Sequence, residues 1–546
     1  MVSKATISKI KKNGVVAIIL LFISLAFAPS TLGKIEQSSI SPLDGDVLYV
    51  GGDGPGNYST IQSAIDNASD GDLIYIYSGI YYEPLTLRKS LTLQGQDANT
   101  TIIDGCQAYY TLYVNTTEFH IQSLGFRNTS KWEIWIELAN NSSITDCRLI
   151  GSPTEDTFGI RTYRETRLLI KDCSIINYLD GIDMLYTTDS IIEYCVFSNW
   201  QRSVTIATGC RNCHVDNCTI IGQPQSDGGN RGMDIYSPDN LIINCSIYNC
   251  TEGICFWGDS DYSNIINCTI LDCSWRGIYC SLDSHDHLIK HCTLSGCGFT
   301  DFPYPDYAIE IKDSGNIIDD CIIKDNPGGG VEFDWEGGYN TLCCSTLIHN
   351  GYGSHHEGFH SFSHLPNYIY LNNFIDNKIQ AWDHYQTCTF DNGALGNYWS
   401  DYIGLDWNHD FIGTRPYHLY NNSNTDNLPL ICPYNPDGPS VLLERPAHLK
   451  GDFLYLRNLR ILRFPSTVLI GNIYVKARAV NYDNPERITK VEFYVDGILR
   501  KVDILPPYNW CWRLSSPLNH KHIVSVIAYD SKERIGQDSC QVYKLM

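Results

Sequence analysis

One short segment returns throughout the middle of this chain, and its recurrence limits the fold more than any other feature. The copies run Ile144-Thr-Asp-Cys147, Ile170-Lys-Asp-Cys173, Ile192-Glu-Tyr-Cys195, Val215-Asp-Asn-Cys218, Ile242-Ile-Asn-Cys245 and Ile265-Ile-Asn-Cys268. They continue as Leu288-Ile-Lys-His-Cys292, Ile317-Ile-Asp-Asp-Cys321 and Leu342-Cys-Cys344, and a last copy, Tyr370-Leu-Asn-Asn373, carries Asn for Cys. On this alignment the cysteines recur every 22 to 29 residues and nine coils share a thiol column. Between them lies a second short strand beginning Gly159-Ile160, Gly181-Ile182, Gly232-Met233, Gly253-Ile254, Gly277-Ile278, Ala308-Ile309 and Gly330-Val331.

A unit this short cannot bury its own apolar face, whereas coils stacked on one another bury a continuous one. Units of about 22 to 25 residues with two or three strands each fit a three-sided, right-handed parallel β-helix. A leucine-rich solenoid lacks support because its Leu-x-x-Leu-x-Leu pattern is absent, and a propeller blade needs roughly 40 residues. The open first coil needs a cover. Ser59-Thr-Ile-Gln62 reads as a capping box, with Ile61, Ala64, Ile65 and Ala68 on one helical face. Asp70-Gly-Asp72 ends that helix, and Leu73–Tyr77 is expected to be the first strand.

Specific motifs add a family likeness. The run Gly51–Ser59, Gly79-Ile-Tyr-Tyr-Glu83 and Thr101-Ile-Ile-Asp-Gly105 resemble the N-terminal cap of pectin-lyase-like β-helix proteins. The Ile-x-Asn-Cys-x-Ile coils resemble the repeats of NosD-type periplasmic copper-binding and sugar-hydrolysis families, with Cys replacing the second Asn. Gly396-Asn-Tyr-Trp-Ser-Asp-Tyr402 and Asn427-Leu-Pro-Leu430 resemble their closing segment. This likeness implies a fold more firmly than an activity. After the proline-rich Pro433–Pro439, Val491, Phe493 and Val495 alternate up to an Asp496-Gly497 hairpin turn. With Trp510–Trp512 and Val524–Tyr529 this resembles bacterial immunoglobulin-like domains. The expected organisation is all-β: signal peptide 1–33, cap 34–72, β-helix 73–390, closing segment 391–437 and Ig-like sandwich 438–546.

Lys4, Lys9, Lys11 and Lys12 precede an apolar run from Val15 to Ala28, the order of a secretory signal, with cleavage expected after Gly33. That run is shorter than the roughly 20 apolar residues a span needs, so no transmembrane span is expected once it is removed. Asn57, Asn99, Asn115, Asn128, Asn217, Asn244 and Asn267 head glycosylation sequons, in keeping with a secreted or cell-surface glycoprotein. A formal net charge of -22 argues against nucleic acid as a partner and leaves polysaccharide or cell-envelope glycan.

Candidate chemistry falls into four groups. After each Gly-Ile step the next side chain points outward, giving the column Arg161, Asp183, Asp234, Cys255, Tyr279, Glu310 and Glu332. Asp183, Asp234, Glu310 and Glu332 are the candidate catalytic acids, and Glu310 with Glu332, on adjacent coils, fit a retaining glycosidase pair. Arg161 lies several coils from the acids, so a lyase's acid–cation constellation is not visible. Tyr186, Tyr236, Trp257 and Trp335 flank the column as candidate sugar platforms. His355, His356, His360 and His364 crowd one segment, with His285, His287 and His291 in a smaller group, and imidazoles at this density bind copper or zinc. Asp406-x-Asn408-x-Asp410 alternates oxygens as a calcium loop does, without a late Glu. Cys511 and Cys540 are a candidate disulfide, whereas the thiol column, with a second column of Cys250, Cys273 and Cys297, reads first as buried packing and secondarily as disulfides or a soft-metal site.

The leading functional expectation is an exported protein that binds or displays carbohydrate without catalysis. A polysaccharide hydrolase or lyase using the Asp183–Glu332 face is the second, and NosD-like metal handling the third.

Overall fold

The computed structural model describes residues 45–545 except 153–156, 200, 223–228, 299–305, 354–355, 447–451, 464, 483–486 and 514–520. The signal segment 1–33, the first residues of the expected cap and His355 therefore lie outside the described residues. Among the described residues no helix is long and apolar enough to cross a membrane.

Each coil lays down three short strands, as in Leu73–Ile76, Gly79–Tyr82 and Leu85–Leu87, and each joins a different sheet. Parallel stacking extends these into a first sheet of 14 strands, a second of 14 and a third of 13. Period-2 alternation turns one side chain of each triplet inward. In the first sheet Ile144, Ile170, Ile192, Val215, Ile242 and Ile265 lie directly above one another and are buried. The residue before each ladder cysteine, such as Asp146, Asn217, Asn244 and Asn267, has positive φ. Asn and Asp tolerate that left-handed corner better than most residues, which accounts for the Asn/Asp-Cys dipeptides. The glycines of the third sheet answer to a different constraint. A Cβ on Gly253 would lie 2.3 Å from the carbonyl oxygen of Gly277 in the next coil.

The thiol column comprises eight cysteines, not nine. Asp319 pairs with Cys343 in register, so Ser345, two residues on, takes the corner position and its hydroxyl accepts from the Cys321 N–H at 3.0 Å. The ladder then continues through Asn372 rather than Asn373, to Asn397 and Asp426. The Cys250, Cys273, Cys297 column is likewise buried and continues as Asn326, Asn350 and Asn377.

Among the described residues, the first sheet holds one strand before the Leu73–Tyr77 strand expected to open it. Val47–Val50 pairs in parallel with Leu73–Ile76, and the helix Ile61–Asn67 is inserted between them. Ile61, Ala64, Ile65 and Ala68 are buried as expected. The N-cap is Thr60, whose side chain accepts from Ser63 N–H, and Glu83 accepts from the Ile61 and Gln62 amides at 2.7 and 3.0 Å. At the other end Tyr398–Trp399 is the last strand of the second sheet. Trp399 stacks between Phe374 and Tyr417, each at 4.3 Å, closing the core.

Residues 440–545 form two further sheets, of three and seven strands, around a separate core that includes Leu443, Val475, Phe493, Val526 and Val542. Asp496 and Gly497 both have positive φ between antiparallel strands, the geometry of a two-residue hairpin turn. Most neighbours in these sheets are antiparallel, consistent with an Ig-like sandwich. Cys511 and Cys540 do not pair; all 22 cysteines are free. Cys511 belongs to the three-stranded sheet and alternates with the core-facing Trp512, whereas Cys540 faces inward from the larger sheet.

Candidate functional site

The outer face of the third sheet carries the expected column, with members the pattern did not include. In register it reads Arg161, Asp183, Thr205, Asp234, Cys255, Tyr279, Glu310, Glu332, His360 and Trp382. Asp183 and Asp234 are two strand steps apart, and Asp234 and Glu310 three, at about 4.8 Å per step. The four candidate acids thus do not form one constellation; only Glu310 and Glu332 are neighbours.

A parallel column of charge runs beside this one, just before the inward glycines: Asp180, Arg202, Arg231, Glu252 and Arg276. The two columns interlock. Arg161 donates to Asp183 at 2.8 Å and Arg202 to Asp180 at 2.9 Å. Arg231 contacts Asp234 at 3.3 Å and Glu252 at 2.7 Å. Arg276 spreads its three nitrogens over Glu252, Asp306 and Glu310. Lys312 bridges Glu310 at 3.2 Å and Asp334 at 3.0 Å. Burial raises the Asp183 and Asp234 carboxyls above the usual range, with the arginines opposing the shift. The sequence signal for this column was the residue preceding each Gly-Ile pair. That signal is broken at Arg202, which precedes Ser203-Val204, and at Tyr307, which precedes Ala308-Ile309.

Aromatic side chains flank the ladder. Trp257 stacks on Tyr236 at 6.3 Å and donates to Asp234 at 2.8 Å, while Arg231 lies 5.0 Å from its ring. Farther along, Trp335, 49% exposed, meets His364 at 4.0 Å, and His364 meets Tyr385 at 3.8 Å. Tyr186 is exposed at a corner beside Tyr163, two coils from Tyr236.

The described histidines of this segment share no metal position, although His356 and His360 pack against the same Tyr307 ring. His360 is a strand residue whose Nδ1 lies 2.9 Å from Glu332 Oε1, and His364 belongs to the aromatic cluster. His356 sits against the Tyr307 ring at 6.0 Å. The smaller group behaves alike: His287 is buried and bonded to Ser284 and the Ser263 carbonyl, and burial lowers it to about 4. The oxygens of Asp406 accept from the Asp410 and Phe411 amides and from Arg478 at 2.7 Å, and Asn408 donates to Asp410. Among the described residues, three potential metal-ligand atoms of His, Cys, Asp or Glu gather within 4.8 Å only at Asp319, Cys343 and Cys344. Lys290 already pairs with Asp319 there, at 2.5 Å.

The three stacked parallel sheets define the fold as a right-handed parallel β-helix. Residues 93–229 and 225–347 match the family model described as the right handed beta helix region. The chain is 30% identical over 190 residues to "Probable pectinesterase/pectinesterase inhibitor 17" of Arabidopsis thaliana, covering 32% of this chain. That match spans about a third, 35%, of the relative's length. Solved structures to which the chain is similar include an alginate lyase from Paenibacillus sp. str. FPU-7, at 14% identity and TM-score 0.39, covering 46% of this chain and 94% of that one. Pectin methylesterase PemA from Erwinia chrysanthemi aligns at 14% identity and TM-score 0.31, covering 47% and 89%. The activities in those names are those of the matched proteins.

Proposed function

We propose that this is an exported glycan-binding protein that holds a neutral polysaccharide along the outer face of its third sheet. The carrying observation is a row of aromatic rings beside an ion-paired ladder. Aromatic faces stack on sugar rings, and the ladder offers an ion-paired polar floor in which eight carboxyl groups outnumber five Arg and Lys side chains. Every described Arg or Lys named in the ladder already has a carboxylate partner. A polyuronate would have to displace those partners, so the arrangement favours neutral chains. The polysaccharide-acting name of the curated relative supports glycan binding in general, not the neutral assignment, and the signal-like N-terminus supports export.

Affinity electrophoresis in soluble β-glucan, mannan, xylan, galactan, α-glucan, polygalacturonate and alginate tests it. Retention by at least one neutral polymer is expected, with Trp257→Ala or Trp335→Ala weakening it about tenfold, or about 1.4 kcal/mol. Retention by polyuronates alone would overturn the neutral assignment, and retention by none would overturn glycan binding.

A further inference from the structure

Three consecutive coils near the end of the third sheet hold chemistry that glycan contact does not require. Glu310, Glu332 and His360 are Cα partners, so their side chains leave the sheet one strand spacing apart, about 4.8 Å. The two carboxyls have different surroundings. Arg276 donates to Oε2 of Glu310 and Lys312 lies 3.2 Å from Oε1, so both oxygens meet a cation. Glu332 is bound through Oε1 to His360 alone, and its Oε2 has no partner among the described residues.

His360 is held as an orienting group. The Tyr307 ring stacks on it at 5.9 Å and 24°, Trp382 lies 5.2 Å away, and the Tyr307 hydroxyl is anchored on Glu357 at 2.8 Å. Its Nε2 is buried without a hydrogen-bond partner among the described residues, which commits the ring to the Nδ1 contact. Burial pushes the Glu332 carboxyl up to about 7; the His360 bond opposes this, and the charges of Glu310 and Asp334 add to it. Desolvation disfavours the His360 cation, but the bond to Glu332 and the charges of Glu332, Glu357 and Asp334 outweigh it and raise the imidazole. Near neutrality the pair thus has a proton to give, while the neighbouring carboxylate is matched by cations. Environments that separate two carboxyls in this way assign acid and base roles.

The geometry points to a hydrolytic centre for a glycosidic bond, with Glu332 as general acid, Glu310 as nucleophile and His360 as the positioning residue for Glu332. This rests on the glycan-binding reading above. Adjacent in-register strands match the roughly 5 to 5.5 Å carboxyl separation of retaining enzymes. Glu332 gives its proton to the glycosidic oxygen as that oxygen leaves the anomeric carbon with the bonding pair. Glu310 Oε1 bonds to the carbon while Arg276 keeps Oε2 and Lys312 stays on Asp334. A water then attacks the same carbon and gives its proton to Glu332, and the bond to Glu310 breaks. One water is consumed and one reducing end appears per cleavage.

The neutral polymers of the binding panel are incubated with the purified protein and with Glu310→Gln, Glu332→Gln and His360→Gln, following reducing ends and the anomeric configuration of the product. The bound polymer should be cut with retention. Glu310→Gln and Glu332→Gln should lose about 10³-fold in kcat while binding stays within threefold. His360→Gln should displace the acid–base limbs of the pH profile, which a merely structural role would leave in place. If Glu332→Gln fails to fold, Glu310→Gly supplies an independent test: azide should restore turnover and yield the glycosyl azide. Binding without cleavage overturns the centre and leaves the binding reading standing. Inversion removes Glu310 as nucleophile and overturns the assignment. Binding of no polymer overturns the glycan reading and this centre with it.

Discussion

The corner between the first and second sheets is built in two ways within one molecule. From Cys147 to Cys321 it holds thiols, and from Ser345 to Asp426 it holds a hydroxyl, two amides and a carboxylate. The partners are alike. Cys245 Sγ faces the Val215 carbonyl of the preceding coil at 3.4 Å and its own chain's Ile243 carbonyl at 3.3 Å. Asn372 Nδ2 donates to the equivalent oxygens, of Leu342 at 2.8 Å and Tyr370 at 3.1 Å. Asn372 Oδ1 also accepts the Ser345 N–H at 3.0 Å, where the Cys245 sulfur faces the Cys218 amide. Cysteine keeps the shape and direction of the asparagine ladder but makes weaker bonds. The cysteine half therefore relies on packing, and the asparagine half on directional coupling between coils.

The sharpest break of that contrast is Asn372→Ala. It strands the Ser345 amide and the Leu342 carbonyl in a dry core, and buried unsatisfied groups cost about 1 to 3 kcal/mol each. We expect a loss of about 4 kcal/mol with the cavity included. Amide exchange coil by coil is the appropriate measurement, because solenoids open in segments. A protection loss no greater than that of Cys245→Ala would show that the two halves are held in the same way.

Asp426 ends the polar half and gives it a pH dependence. Its carboxylate accepts from the Asn397 amide, the Trp399 indole and the Leu428 amide. Burial nevertheless raises it from 3.8 to about 6. A carboxyl raised by folding holds its proton more tightly in the folded chain than in the unfolded one. Its contribution is complete below about pH 4 and drains away as pH rises through about 6, by roughly 3 kcal/mol at 1.36 per unit. Exchange at Asn397 and Leu428 should accelerate over that window, and Asp426→Asn should flatten the response. Glu133 and Glu165, pushed by burial to about 8, give the same sign elsewhere and carry the slope on to higher pH. Closing residues that became more protected between pH 4 and 6 would contradict the assignment.

The repeat made the solenoid legible because every coil obeys the same constraint: a buried Ile, a left-handed corner, then a small side chain. The helix face from Ile61 to Ala68 and the Asp496-Gly497 turn were equally legible, since both are local. What failed was register and partnership. Cys343-Cys344 looked like a ladder copy because sequence spacing cannot distinguish a corner from the residue before it. The first strand, Val47–Val50, was hidden because the helix separates it from its partner. Glu310 and Glu332 were identified by outward alternation, but the cations on Glu310 were not, because Arg276 and Lys312 occupy neighbouring columns and Glu310 joins Arg276 only when adjacent coils stack. His360 was read with its sequence neighbours, whereas the strand turns it towards Glu332.

The smallest expected effect tests the thiol half directly. Cys245→Ala removes one sulfur and its three weak backbone contacts from a packed stack, which should cost about 1 kcal/mol, in the range of a single deleted methyl group. The thiols should also be chemically silent. All eight ladder thiols are buried, out of reach of a dissolved reagent, and structural thiols packed in an apolar interior are inert. A thiol reagent applied to the native protein should modify the exposed Cys106 first and leave the eight ladder positions untouched until the solenoid opens. Mass mapping of the modified peptides reads this out. Ladder thiols that react as fast as Cys106 would mean that the cysteine coils breathe, making sulfur at the corner a point of weakness in the stack. Protection of all eight, with Asn372→Ala exposing only those nearest Ser345, would show that the polar half anchors the packed half from its C-terminal end.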